Sequence, residues 1–217
     1  ANDLKLIFLI SAASFVIGFL FTIKLPNPVQ EKEITPGTTK TVILKNKFLF
    51  LSLLLRHIGA AAVWTILPIM IVEKLGGELY HISIVYVANT MAAFILMNVM
   101  ASKIHLSNVT KFKIGIGFTT FVFVGLSVVT EWWMAMPFMA LVGATWAFLF
   151  IGGNFHLMEN NPKSTSTGIF SSTLSIATVI GPIIAGSIAF LFDYVAVMYF
   201  AIAIIIVAFV VSLKIKK

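Results

Sequence analysis

The chain has 217 residues, 59% of them hydrophobic and only 11% charged, with a mean hydropathy of +1.04. A soluble domain is about 45–50% apolar and about 25% charged, so this composition excludes one and marks an integral membrane protein. No cysteine is present, which removes disulfides, thiol catalysis and thiolate metal sites. The net charge of +7 does not imply nucleic acid, because the lysines stand at the ends of apolar runs rather than on one soluble face.

Seven apolar runs can each cross a bilayer: 4–23, 48–72, 82–102, 112–130, 134–155, 167–191 and 196–213. A helix satisfies its own backbone polar groups in lipid, and the alternating ten-residue strands of a barrel are absent. The expected fold class is therefore all-α integral membrane, with seven transmembrane helices. Residues 4–24 lack the small-residue cleavage site of a signal peptide and are long enough to span. The chain opens at Ala1 without a methionine and is expected to be the C-terminal part of something longer. Connections are short except for 24–47, whose three prolines and seven charges mark a linker rather than a packed element. Three parts result: a helix in 1–24, a linker in 25–47 and six connected spans in 48–217.

Lysine placement predicts the orientation. Lys24, Lys32, Lys40, Lys45 and Lys47 flank the linker; Lys103, Lys111 and Lys113 lie between the third and fourth spans. Lys163 follows the fifth, and Lys214, Lys216 and Lys217 close the chain. All fall on one side of a seven-span path, against Lys5 and Lys74 on the other. Positive residues stay inside, so the linker and C-terminus are expected in the cytoplasm of a multi-pass cell-membrane protein, with Ala1 outside. Trp132 and Trp133 then fall at the outer interface, where indoles anchor.

The second span, 47–72, contains the deepest charge. Arg56 lies nine residues from Lys47, roughly 13 Å along a helix, against a hydrocarbon core roughly 30 Å thick. A central arginine costs about 2.5 kcal/mol or more and needs a cavity, a partner or a ligand. Snorkelling falls short, because an extended arginine reaches only about half that depth.

One span, a long basic linker and six close spans make a layout that resembles the second half of a major facilitator superfamily transporter, preceded by the last helix of the first half. The most specific stretch runs from Met158 to Phe200 and is similar to that family's tenth-to-twelfth helix passage. It carries Glu159 and Pro162 in an inner loop, then Gly168, Gly181, Pro182 and Gly186, with Asp193 at the outer turn. The stretch 53–76, LLLRHIGAAAVWTILPIMIVEKLG, looks like the family's seventh helix. The chain departs at the family's Gly-x-x-x-Asp-Arg-x-Gly signal, where Asn98, Ser102, Lys103 and His105 stand and only the basic residue survives.

The resemblance implies that the six spans form one half of a two-half bundle whose partner is the N-terminal half of the same transporter. It implies alternating access by a secondary active permease that moves a small-molecule substrate, closest to drug:proton antiporters and sugar permeases, with ion- or proton-coupled efflux. Membrane lipid is the other expected partner; no nucleic acid, cofactor or metal is expected, and no enzymatic activity.

Candidate substrate contacts follow. Arg56 is read as a cavity residue, with structural pairing as its other reading. His57, about 100° further round the helix, is either a packed hydrogen-bonding group or a proton carrier. Ser171, Ser175 and Thr178 share a face of the sixth span, as a cavity wall or as interhelical hydrogen-bonding groups. Ala177, Gly181, Ala185 and Ala189 form the opposite small-residue packing face, and Pro182 is expected to bend the helix near Thr178. Asn89 shares a face with Tyr86, Thr90 and Met97, and is expected to meet protein or cavity. Trp146 and Asn154 are candidates in the fifth span, with Trp146 equally readable as packing. Gly115, Gly117 and Gly125 look like packing glycines in a helix remote from the cavity.

No span contains an internal Asp or Glu, so a proton-driven cycle needs His57 or an acid outside this chain. GxxxxGK[ST], GxSxG and HExxH are absent, and the last span has no lysine for retinal. A seven-helix receptor or a non-transporting membrane protein is the alternative.

Overall fold

The computed structural model of the chain describes residues 2–23 and 38–215, with side chains except at 2–8, 38, 100–102 and 160. Among the described residues the regular structure is helical throughout, and six helices are long and apolar enough to cross a membrane. Two compact units divide the chain, Ala1–Glu33 and Ile34–Lys217. The first holds α1, Asn2–Thr22, a single apolar helix whose described side chains are exposed.

The second unit contains a short α2 (Thr38–Lys45) and six long helices: α3 (Lys47–Glu73), α4 (Leu79–Ser102), α5 (Asn108–Ser127), α6 (Ala135–Asn160), α7 (Lys163–Leu191) and α8 (Tyr194–Ser212). A 3-10 turn, Trp132–Met134, leads into α6. Residues 24–37 of the expected linker lie outside the described residues. Its last third differs from expectation: α2 packs on α7 and α3, and Val42 is only 2% exposed. The reason is one apolar turn, Val42-Ile43-Leu44, inside the lysine-rich stretch.

α6 packs against α4 and α5, while α3 packs against α7 and α8; contacts of α5 with α8 and of α6 with α7 join the two sets. Apart from α5 and α6, sequence neighbours are not the main packing neighbours, and α3 and α4 touch only lightly across their short turn. Helices α3, α7, α6, α5 and α8 form a closed ring, with α4 against the outside of α6.

Small residues set these approaches. A Cβ built at Gly181 of α7 would lie 2.6 Å from the Ala61 Cβ and 2.8 Å from the Ile58 carbonyl of α3. At Gly143 of α6 it would collide with the Asn89 carbonyl of α4. In lipid, association depends on this kind of backbone-to-backbone packing, because no hydrophobic gain separates helix from tail. The small face of α7 is as expected, with Ala177, Gly181 and Ala185 buried against α3.

The two ends of the unit are tied differently. At one end Trp132 stacks on His81 with ring centroids 3.8 Å apart, and its backbone N–H donates to the Leu75 carbonyl at 3.0 Å. There the Tyr194 hydroxyl donates to Glu73 at 2.9 Å, and Lys74 pairs with Asp193 at 3.9 Å. At the other end Lys113 Nζ donates to the Ile215 carbonyl at 3.0 Å, and Asn108 donates to Glu159.

Candidate functional site

Arg56 sits about one turn on the Lys47 side of the middle of α3, a helix of 27 residues. Its side chain is only 2% exposed and points into the helix ring rather than toward a membrane face. Nη2 donates to Thr119 Oγ1 on α5 at 3.2 Å, and that hydroxyl donates in turn to the Gly115 carbonyl at 2.6 Å. On its other side the guanidinium lies 5.6 Å from the ring centroid of Trp146 on α6. Thr119 and Trp146 are both mid-helix residues, so the charge stays at depth instead of reaching for the interface.

His57 reaches the same indole: its ring lies 5.5 Å from that of Trp146, tilted by 35°. The 100° step along α3 thus separates the two side chains without separating their partner, because a nine-atom indole is wide enough to meet both. From Trp146 an aromatic path continues to Phe150, at 5.4 Å, and to Phe170 of α7, at 5.7 Å and edge-on. Trp146 is half-buried, Phe150 is exposed and Phe170 is fully buried, so the path meets the surface at Phe150.

Two polar atoms in this cluster have no partner among the described residues. Arg56 Nε and His57 Nδ1 are buried without a hydrogen bond. A buried donor left unmade costs about 1–3 kcal/mol, so two on consecutive residues are a local cost that a ligand can relieve. The ion pair Lys74–Asp193 lies at a helix end and does nothing for Arg56.

The other expected contacts fall elsewhere. Asn154 is buried two turns after Trp146 on the same stripe, and its amide donates to the Phe150 carbonyl of its own helix at 3.2 Å. Asn89 of α4 donates to the Met139 carbonyl of α6 at 3.2 Å, at the crossing that Gly143 keeps close. Its amide nitrogen is thereby a clasp between two helices. Ser171, Ser175 and Thr178 are exposed on α7, with Ser175 bonded to the Ser171 carbonyl at 3.1 Å and Thr178 to the Ser175 carbonyl at 2.7 Å. They form a hydroxyl face, as expected, but one that stands apart from the buried Arg56 cluster.

Thr119 is the residue the sequence reading missed. It lies on the helix taken as remote, and its signal was a hydroxyl one turn after Gly115 at mid-span. The glycines of that helix do pack: a Cβ at Gly115 would lie 2.7 Å from the Thr145 carbonyl of α6. By bringing α5 onto α6, Gly115 sets Thr119 beside the guanidinium. Surface grooves are lined by other residues: an apolar cleft of about 460 Å³ between α5 and α6 at Phe118 and Phe148, and one of about 540 Å³ between α2 and α7 at Thr39 and Thr165.

No protein-family model matches the chain, and no curated protein matches it at a significant level.

Proposed function

We propose that the chain is the C-terminal half of a secondary active transporter of the major facilitator type, moving a small organic solute by alternating access. In this reading α1 is the last helix of the first half, and the six helices of the second unit are one side of a central cavity. The linker and C-terminus face the cytoplasm of a cell membrane, following the lysine asymmetry. Efflux coupled to an ion or to protons is the expected mode, with His57 as the chain's own candidate proton carrier.

The observation that carries this reading is Arg56: a guanidinium held at mid-bundle among α3, α5 and α6 with no carboxylate of the described residues against it. Intramembrane charges of this kind mark substrate or ion pathways, because lipid-facing positions cannot hold them. The exposed hydroxyl face of α7 supports the same conclusion. Ser171, Ser175 and Thr178 belong against water or protein rather than acyl chains, and Pro182 removes the helical donor of the Thr178 carbonyl beside them. Packing of the first half over α4 and α7 would cover the helices that this unit leaves most exposed.

Counterflow tests the reading directly. Full-length protein in proteoliposomes preloaded with a cell solute extract should accumulate some labelled solutes against their gradient by exchange. Vesicles that show no exchange above protein-free controls would remove the transporter.

A further inference from the structure

The Arg56 cluster also bears on which solute is carried, an inference that rests on the transporter reading. The guanidinium makes one hydrogen bond among the described residues, to the neutral hydroxyl of Thr119. Its Nε and the Nδ1 of His57 are both buried with no hydrogen-bond partner among the described residues. The sequence supplies no acid to close the gap: Asp3, Glu31, Glu33, Glu73, Glu78, Glu131, Glu159 and Asp193 all lie outside the apolar runs or at helix ends. The missing group is therefore an acceptor, and one with negative charge, since a neutral acceptor leaves the buried cation uncompensated.

A carboxylate fits the shape of the deficit. Its two oxygens take parallel hydrogen bonds from the planar guanidinium fork, a match that a spherical halide lacks. His57 in its Nδ1–H tautomer adds a further donor. The surroundings describe the rest of the molecule. Trp146 lies 5.4 Å from Phe150 and Phe150 lies 5.7 Å from Phe170, a run of ring faces and edges that suits an apolar or aromatic body. A cationic solute would meet a like charge in a region of low dielectric.

We propose that the solute is an organic monoanion, a carboxylate on an aromatic or apolar body, with the carboxylate bound by Arg56 and His57 and the body laid along Trp146 and Phe150. The anion takes up the unpaired nitrogens as it binds, so its affinity comes from relieving a cost already present in the empty protein. Arg56, His57 and Trp146 then act as one unit, and the α7 hydroxyls are not the groups that select for charge.

The test uses three probes with one body: phenylacetate, phenylacetamide and phenethylamine. Purified full-length protein is titrated with each, read as the shift in its thermal unfolding, and the same three are offered to proteoliposomes as labelled solutes. Phenylacetate should bind at least about 10-fold more tightly than either other probe, and the preference should vanish in Arg56→Gln. The comparison within the unmodified protein stands even if that variant does not fold. Equal binding of acid and amide, or no binding of the acid, overturns the proposal. Exchange of the amine in place of the acid also overturns it while leaving the transporter intact. Charge-selective binding of the acid without any flux keeps the anion site and removes the transporter.

Discussion

The hydroxyl of Tyr86 on α4 donates to the carbonyl of Trp64 on α3 at 3.1 Å, and that is the carbonyl that Pro68 leaves without a helical donor. Proline lacks the N–H that would reach back four residues, so α3 contains one unmet acceptor in its second half. In lipid such an acceptor has no water to turn to, and a neighbouring helix supplies the proton instead. The two rings stand 5.2 Å apart, which holds the tyrosine in place for it.

Replacing Tyr86 by Phe should therefore lower stability by about 0.6–1.7 kcal/mol, the range of interhelical hydrogen bonds in membranes. Pro68→Ala restores the helical donor, so the same Tyr86→Phe change should cost almost nothing in that background. Thermal or denaturant unfolding of the four proteins in detergent gives the coupling. Equal costs in both backgrounds would show that the hydroxyl does not serve the proline's carbonyl.

Gly143 and Gly181 hold helices at backbone distance, so larger side chains there must push whole helices apart. Gly181→Leu faces Ala61 and the Ile58 carbonyl, and Gly143→Leu faces the Asn89 backbone; each should cost about 1–3 kcal/mol or more. Gly168 meets nothing within 4 Å, and Gly168→Ala should stabilise α7 by about 0.5–1 kcal/mol. Unfolding midpoints decide it, and a tolerated Gly181→Leu would mean the α3–α7 contact is looser than the packing requires.

Ser175 and Thr178 bond only to carbonyls of their own helix and are exposed. Ser175→Ala and Thr178→Val should leave stability within about 0.5 kcal/mol, as surface changes do. If these hydroxyls line a cavity, transport by the double variant should fall while expression and unfolding stay unchanged. A large loss of stability with unchanged transport would make them interhelical groups instead.

Much of the helical layout was legible because membrane-spanning segments must be long, apolar and self-satisfied. The small face of α7 was legible for the same reason: residues four apart lie on one stripe. The Tyr86–Trp64 bond was not, although its logic is local to Pro68, because nothing in sequence says which neighbour stands opposite a freed carbonyl. α2 was missed because one buried valine suffices to dock a short helix whose composition is that of a linker. The site divided the same way. Arg56 announced itself by depth, but Thr119 became its partner only through the α5–α6 approach at Gly115. Trp146 was named among the candidates, yet its joint contact with Arg56 and His57 depends on the width of the indole and the ring packing of three helices.

One flux measurement bears most directly on Arg56 as the working centre of a transporter. Arg56→Ala should abolish solute exchange by the full-length protein in vesicles, with membrane insertion and expression equal to the unmodified protein. Arg56→Lys keeps the charge but loses the planar fork, and should retain at most a small part of the rate. Exchange by Arg56→Ala at the unmodified rate would mean that the buried guanidinium is a packing element and that solute passes elsewhere.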